Sequence, residues 1–165
     1  MSIMVISRLR HGNLLLSVPL RADGTFDEKE EVILNDLGDW MTVNKEAIID
    51  TRPWKVFGEG PIAESAIPIN AQGFNEGAYD KATSKEIRFT QTDKSLYAVV
   101  LAWPEEKQIT IKSLAAKSEL HPGKISKVEL LGYGKVPFTR SEQGLVINMP
   151  DKRVNAIAPV FKIRK

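Results

Sequence analysis

Near Pro53 the spacing of apolar residues changes from a helical to an extended period, and that change constrains the fold of this 165-residue chain more than any other feature. Upstream, Ile33, Leu37, Trp40, Met41 and Asn44 recur at steps of three and four, and Leu34 widens the stripe. The pattern predicts an amphipathic helix from Asp27 to Asn44. Asp27, Glu28, Glu30 and Glu31 crowd its first turns, where the helix dipole favours negative charge, and Thr25 with Glu28 three residues later reads as a capping box. Downstream, Ile109 and Ile111 alternate with Gln108, Thr110 and Lys112, as in a half-buried strand. The run 95–103 is apolar on both sides and belongs at the centre of a sheet. Strands are expected at 54–57, 87–91, 95–103, 108–113, 126–132, 136–140, 144–149 and 158–164. Turn residues separate them at Thr92-Asp93-Lys94, Pro104-Glu105-Glu106, His121-Pro122-Gly123 and Glu142-Gln143-Gly144. The fold class is therefore mainly β, an antiparallel sandwich of about eight strands behind one helix. A boundary near Asp50 divides residues 1–50 from residues 51–165.

Leu14, Leu15, Leu16 and Val18 form an apolar run that presents both faces, as strands of a doubly covered sheet do. Arg8, Arg10 and His11 precede it in the manner of a secretory signal. The run is short, contains Pro19 and meets Arg21 without a small-residue cleavage pattern, so the reading is a buried strand and the location of the protein is left open. No apolar stretch approaches the roughly 20 residues that span a bilayer. With 23 Lys and Arg against 21 Asp and Glu, scattered along the chain, neither nucleic acid nor a membrane is an expected partner. The absence of cysteine excludes a disulfide framework and a thiolate metal site. From Gly58 to Glu86 the chain is rich in Gly, Pro, Asn and Ala with little periodicity. Connections longer than about 15 residues are uncommon unless they contact something, so this one is expected to pack on a neighbour.

Several segments carry a family resemblance by their order and spacing. They include Gly12 to Leu20, Asp23-Gly24-Thr25, Gly38 to Trp54, the continuation Trp54 to Pro61, Ile87-Arg88-Phe89-Thr90, Leu96 to Pro104, Lys127 to Gly132, Gly144 to Pro150 and Phe161-Lys162-Ile163. Together they resemble the C-terminal third of bacterial α-L-fucosidases, which are retaining exo-glycosidases with a (β/α)₈-like barrel followed by a β-sandwich. The resemblance implies that residues 1–50 are the last strand and helix of the barrel, and that residues 51–165 are the sandwich. Two departures stand out: Ser17 where the family carries Asn, and Asn44-Lys45 where it carries Asn-Gly at a helix C-cap.

Retaining hydrolysis needs two carboxyl groups about 5 to 5.5 Å apart. The family's nucleophile lies on an earlier barrel strand, and no residue here matches it. The resemblance therefore implies a structural support role, with no catalytic residue, no cofactor and a fucosylated glycan as partner only in an intact enzyme. A free-standing carbohydrate-binding module and a subunit completed in trans by a separate barrel are the alternatives.

The residues themselves agree. Asp27/Glu28, Glu30/Glu31 and Glu105/Glu106 are carboxylate neighbours in hydrophilic surroundings, where adjacent side chains point apart. His11 and His121 lack further ligands at metal spacing and read as surface residues. Trp54, Trp103 and Tyr133 are the rings that can stack on a sugar. Core packing is expected for the two tryptophans, which leaves Tyr133 as the carbohydrate-binding candidate. Asp50, Arg52 and Glu59 are expected to tie the linker to the sandwich, and the apolar run of residues 1–50 to drive homo-oligomer formation.

Overall fold

The computed structural model describes residues 16–64, 83–121, 123–155 and 157–164. Helix α1 (Glu28–Asn44) starts where the side chain of Asp27 accepts the N–H of Lys29 at 2.9 Å. Asp27, not Thr25, is the cap. The N–H and hydroxyl of Thr25 both donate to Asp23 Oδ1, at 3.0 and 2.7 Å, which spends that side chain on the preceding turn. At the other end Lys45 stays helical and the chain runs on through a 3₁₀ turn, Lys45–Ala47; the left-handed residue comes later, at Asp50 with φ 56°. Lys45 therefore needs no glycine. Of the strand expected around Leu14 to Val18, Leu14 and Leu15 lie outside the described residues. Leu16 to Pro19 take no regular structure, and Leu20 makes a single antiparallel bridge to Phe26.

Among the described residues nine strands follow: β1 (Arg52–Glu59), β2 (Ile87–Gln91), β3 (Ser95–Val100), β4 (Gln108–Ile111), β5 (Lys127–Leu130), β6 (Gly134–Lys135), β7 (Phe138–Ser141), β8 (Gly144–Asn148) and β9 (Val160–Arg164), with a short helix α2 (Pro61–Glu64) after β1. All eight expected strands are present: 87–91 keeps its bounds, 54–57 extends to 52–59, the others have shifted or trimmed ends, and β6 is added. The supposed loop from Gly58 begins later than expected, because Gly58 and Glu59 finish β1 and Pro61–Glu64 is helical; residues 65–82 lie outside the described residues.

One sheet has the order β1-β2-β3-β9-β5-β6 and the other β4-β8-β7, with every pairing antiparallel. The sheets enclose a core of Phe89, Leu96, Ala98 and Val100 against Ile109, Ile111, Leu145 and Ile147. Phe161 is fully buried there, a burial that contributes about 2–3 kcal/mol. The opposite face of the large sheet, with Tyr97, Val99, Leu101 and Val160, packs on Trp40, Ala47 and Ile48. Strand β3 is covered on both sides, so all six of its residues are buried.

Side chains tie the layers together. The carboxylate of Glu59, at the end of β1, accepts the N–H groups of Lys112 and Ser113 at 2.9 and 2.6 Å and so joins the large sheet to the segment after β4. Arg140 on β7 donates to the carbonyls of Leu114, Ala115, His121 and Gly123 at 2.6 to 3.0 Å, and pins the connection that leads towards β5.

Candidate functional site

The last turns of α1 and the 3₁₀ turn after it form the junction between the N-terminal segment and the large sheet. Trp40 is fully buried and its Nε1–H donates to the carbonyl of Ala158 at 2.9 Å. A buried indole needs such a partner, and this one fixes the helix against the segment leading into β9. Thr90 donates its hydroxyl to Ala47 O at 2.6 Å, and Thr51 donates to Ile48 O at 2.9 Å. Glu46 takes the Tyr97 hydroxyl at 3.0 Å and pairs with Lys162. Burial raises the ionisation point of Tyr97, with the hydrogen bond and charge of Glu46 adding to it. For Lys162 burial and, to a lesser degree, the Arg164 charge oppose ionisation, but the hydrogen bond to Glu46 and the charges of Tyr97 and Glu46 outweigh them and the ammonium is held above its ordinary value.

The stripe is not covered along its whole length. Trp40 and Asn44 are buried, whereas Ile33 is 56% exposed; Val32, off the stripe, is 59% exposed as well. Leu16, Leu20 and Phe26, just before the helix, are also exposed. The helix thus grips the sheet with its C-terminal end and extends an apolar N-terminal end beyond it.

Two buried carboxylates meet the first requirement of acid–base chemistry, and their contacts remove them from it. Glu86 Oε2 pairs with Arg88 at 3.0 Å and Oε1 accepts the Ile62 N–H at 2.7 Å, while both oxygens of Glu59 are held by backbone N–H groups. Both carboxylates are engaged in holding backbone N–H groups, and Glu86 in pairing with Arg88. A cleft of about 500 Å³ opens beside them, lined by Gly60, Lys85, Ile87, Gln108 and Thr110 among others. Its wall at Gly60 has no room for a side chain, since a Cβ there would lie 2.5 Å from the Lys85 carbonyl. The Glu86–Arg88 pair escaped the sequence reading. Its signal was the i, i+2 spacing at a strand start, which sets opposite charges on one face.

The singled-out rings separate as expected. Trp54 meets Phe89 edge-on, with ring centroids 5.0 Å apart, and Trp103 donates its Nε1–H to Asn155 Oδ1 at 3.3 Å under the Arg153 guanidinium. Tyr133 is half exposed in the turn between β5 and β6. Nothing in the fold gathers these three rings into one platform. His11 lies outside the described residues. His121 is buried, not at the surface, because Arg140 draws its carbonyl and those around it inward. Arg52 pairs with Asp93, and Asp50 is exposed. Asp27, Glu28, Glu31, Glu105 and Glu106 are exposed and Glu30 is half-buried. Among the described residues no three His, Cys, Asp or Glu side chains cluster as metal ligands, and no helix is long and apolar enough to cross a membrane.

Comparison with known proteins gives two family matches. The model for the α-L-fucosidase C-terminal domain matches residues 80–164, and that for α-L-fucosidase matches residues 3–46. Tissue α-L-fucosidase of Homo sapiens is 25% identical over 152 residues, covering 91% of this chain and 27% of the relative. An α-L-fucosidase of Branchiostoma floridae is 28% identical over 100 residues, 61% of this chain and 17% of the relative. The chain thus spans about a quarter or less of the curated relatives it matches. Among solved structures, the α-fucosidase of Thermotoga maritima in complex with a mechanism-based inhibitor superposes with a TM-score of 0.70 at 23% identity, covering 99% of this chain and 33% of that one. α-L-Fucosidase isoenzyme 1 of Paenibacillus thiaminolyticus gives 0.62 at 20% identity, covering 97% and 32%. These superpositions establish the shared fold.

Proposed function

The chain belongs to the α-L-fucosidase C-terminal domain family, and from that premise we propose that it is a non-catalytic support for the catalytic part of an α-L-fucosidase. The observation that carries this reading is the divided helix. One end of α1 is fixed to the sandwich through Trp40 and Ala158, and the other carries Val32 and Ile33 outward. Such a helix is a two-sided connector. The match of residues 3–46 to α-L-fucosidase itself supports assigning the outward end to the catalytic part. Self-association through residues 1–50 is the competing use of the same surface.

Co-expression of the full chain with the catalytic part of the Thermotoga maritima α-fucosidase tests the reading. The expected result is co-purification and a higher melting temperature for the catalytic part, both lost with Trp40→Ala. Purified alone, the chain is expected to leave an aryl α-L-fucoside unhydrolysed, because a nucleophile and an acid/base each contribute orders of magnitude to rate. Turnover that survives repurification and depends on a residue of this chain would overturn the proposal. Saturable fucose binding abolished by Tyr133→Ala would replace it with a carbohydrate-binding module.

A further inference from the structure

Asp23-Gly24 is the only step in the chain at which glycine follows Asp or Asn. No side chain on Gly24 shields its nitrogen from the carboxyl before it, and the space there is open, since a Cβ would meet nothing within 4 Å. The turn nevertheless holds both groups. Asp23 Oδ1 accepts the N–H and the hydroxyl of Thr25, and the Gly24 N–H donates to Arg21 O at 2.9 Å. The Arg21 N–H donates to Thr25 O at 2.8 Å and Leu20 bridges Phe26, which closes residues 20–26 into a small loop on the way into α1. All seven residues are exposed, so little besides these hydrogen bonds keeps the loop closed.

We propose that Asp23 is a latent site of backbone isomerisation, which the turn holds off through Thr25. In this reaction the Gly24 nitrogen attacks Cγ of the protonated Asp23 carboxyl. The N–Cγ bond forms, and the proton of the nitrogen leaves with the carboxyl hydroxyl as water, which gives a five-membered succinimide. Water then adds at the main-chain carbonyl carbon of Asp23 and the bond from that carbon to nitrogen breaks. The chain now continues through Cβ and Cγ as isoaspartate, with no oxidant or other reactant consumed. The folded turn opposes the first step twice. The Gly24 N–H must leave the Arg21 carbonyl, and the hydroxyl and N–H of Thr25 hold the Asp23 carboxyl below its ordinary value, in the ionised form that is a poor electrophile. The isomer has one more atom in its main chain, so the spacing that lets Arg21 meet Thr25 and Leu20 meet Phe26 is lost just ahead of α1.

The full chain is incubated at body temperature and about pH 5, where a carboxyl of ordinary pKa is partly protonated, both folded and in concentrated guanidinium chloride. Isoaspartate is read in the tryptic peptide Ala22–Lys29 by electron-transfer fragmentation, with Asp27, which Glu28 follows, as the internal control. The folded chain is expected to convert at least about tenfold more slowly than the unfolded one, because reaction waits on opening of the turn. Thr25→Val keeps the N–H and removes the hydroxyl; it should raise the folded rate about threefold and leave the unfolded rate unchanged. Thr25→Ser keeps both donors and should match the parent. Circular dichroism verifies that the variants fold, and the ratio of folded to unfolded rates in the parent decides the matter if Thr25→Val does not. Equal rates in the folded and unfolded parent, a folded rate that Thr25→Val leaves unchanged, or an unfolded chain that forms no isoaspartate at Asp23 would each overturn the proposal.

Discussion

Strand β3 and helix α1 both carry apolar residues beyond the needs of one buried face, and the structure treats them differently. In β3 all six residues are buried, since Leu96, Ala98 and Val100 face the smaller sheet while Tyr97 and Val99 face the helix. In α1 the same hydrophobic logic is satisfied at Trp40 and Asn44 and left open at Val32 and Ile33. The difference teaches where the chain closes its own core and where it presents a surface. The sandwich closes its core among the described residues, and the helix leaves part of its apolar surface uncovered.

Truncating the closed side is expected to have the largest effect. Phe161→Ala empties a fully buried site between the sheets and should cost about 3–5 kcal/mol, read as a lower urea midpoint for the whole sandwich. Trp40→Ala, also fully buried, should cost about 3 kcal/mol, but most of the loss should fall on the helix: faster amide exchange across residues 28–48, with β2, β3 and β9 still protected. Exchange rising equally in helix and strands would erase the distinction between the regions. Ile33→Ser sharpens it from the other direction, since removing an exposed side chain should stay within about 0.5 kcal/mol for the isolated chain.

The smallest effect concerns alkali. Tyr97 and Lys162 both have raised ionisation points in the folded chain. A group raised on folding contributes stability that is complete below its unfolded value, and this is lost as pH rises through the folded one. Helix docking should therefore weaken above about pH 10. The partners are partly exposed, Glu46 by 43%, so screening keeps the contribution small. Urea midpoints across this range should fall less in Glu46→Gln than in the parent; equal slopes would remove the Glu46 contacts from the account.

Much of this fold was legible because its signals are local. Gln108–Ile111 alternates exposed and buried as its sequence does, and the two-sided apolar run of β3 marked the middle of a sheet. Strand ends were less legible. Residues 112–114 turn into a 3₁₀ helix whose N–H groups of Lys112 and Ser113 are taken by Glu59, a partner more than fifty residues away in sequence. The burial of His121 depends on Arg140, elsewhere in the chain, whereas the true cap of α1 was hidden locally, because Asp23 claims Thr25 first. The helix face was visible as a stripe, but its division into covered and uncovered ends was not: periodicity reports which side is apolar and says nothing of how far the sheet beneath it extends.

Arg140 gathers four carbonyls from residues 114–123 in a chain that has no cysteine. Small domains often cross-link such a connection with a disulfide, whose integrity depends on the thiol poise of its surroundings. A guanidinium stays protonated throughout the working range of a protein and has no redox chemistry. This cross-link is therefore the same under reducing and oxidising conditions, and the loop it fastens should resist reductant as well as it resists oxidant.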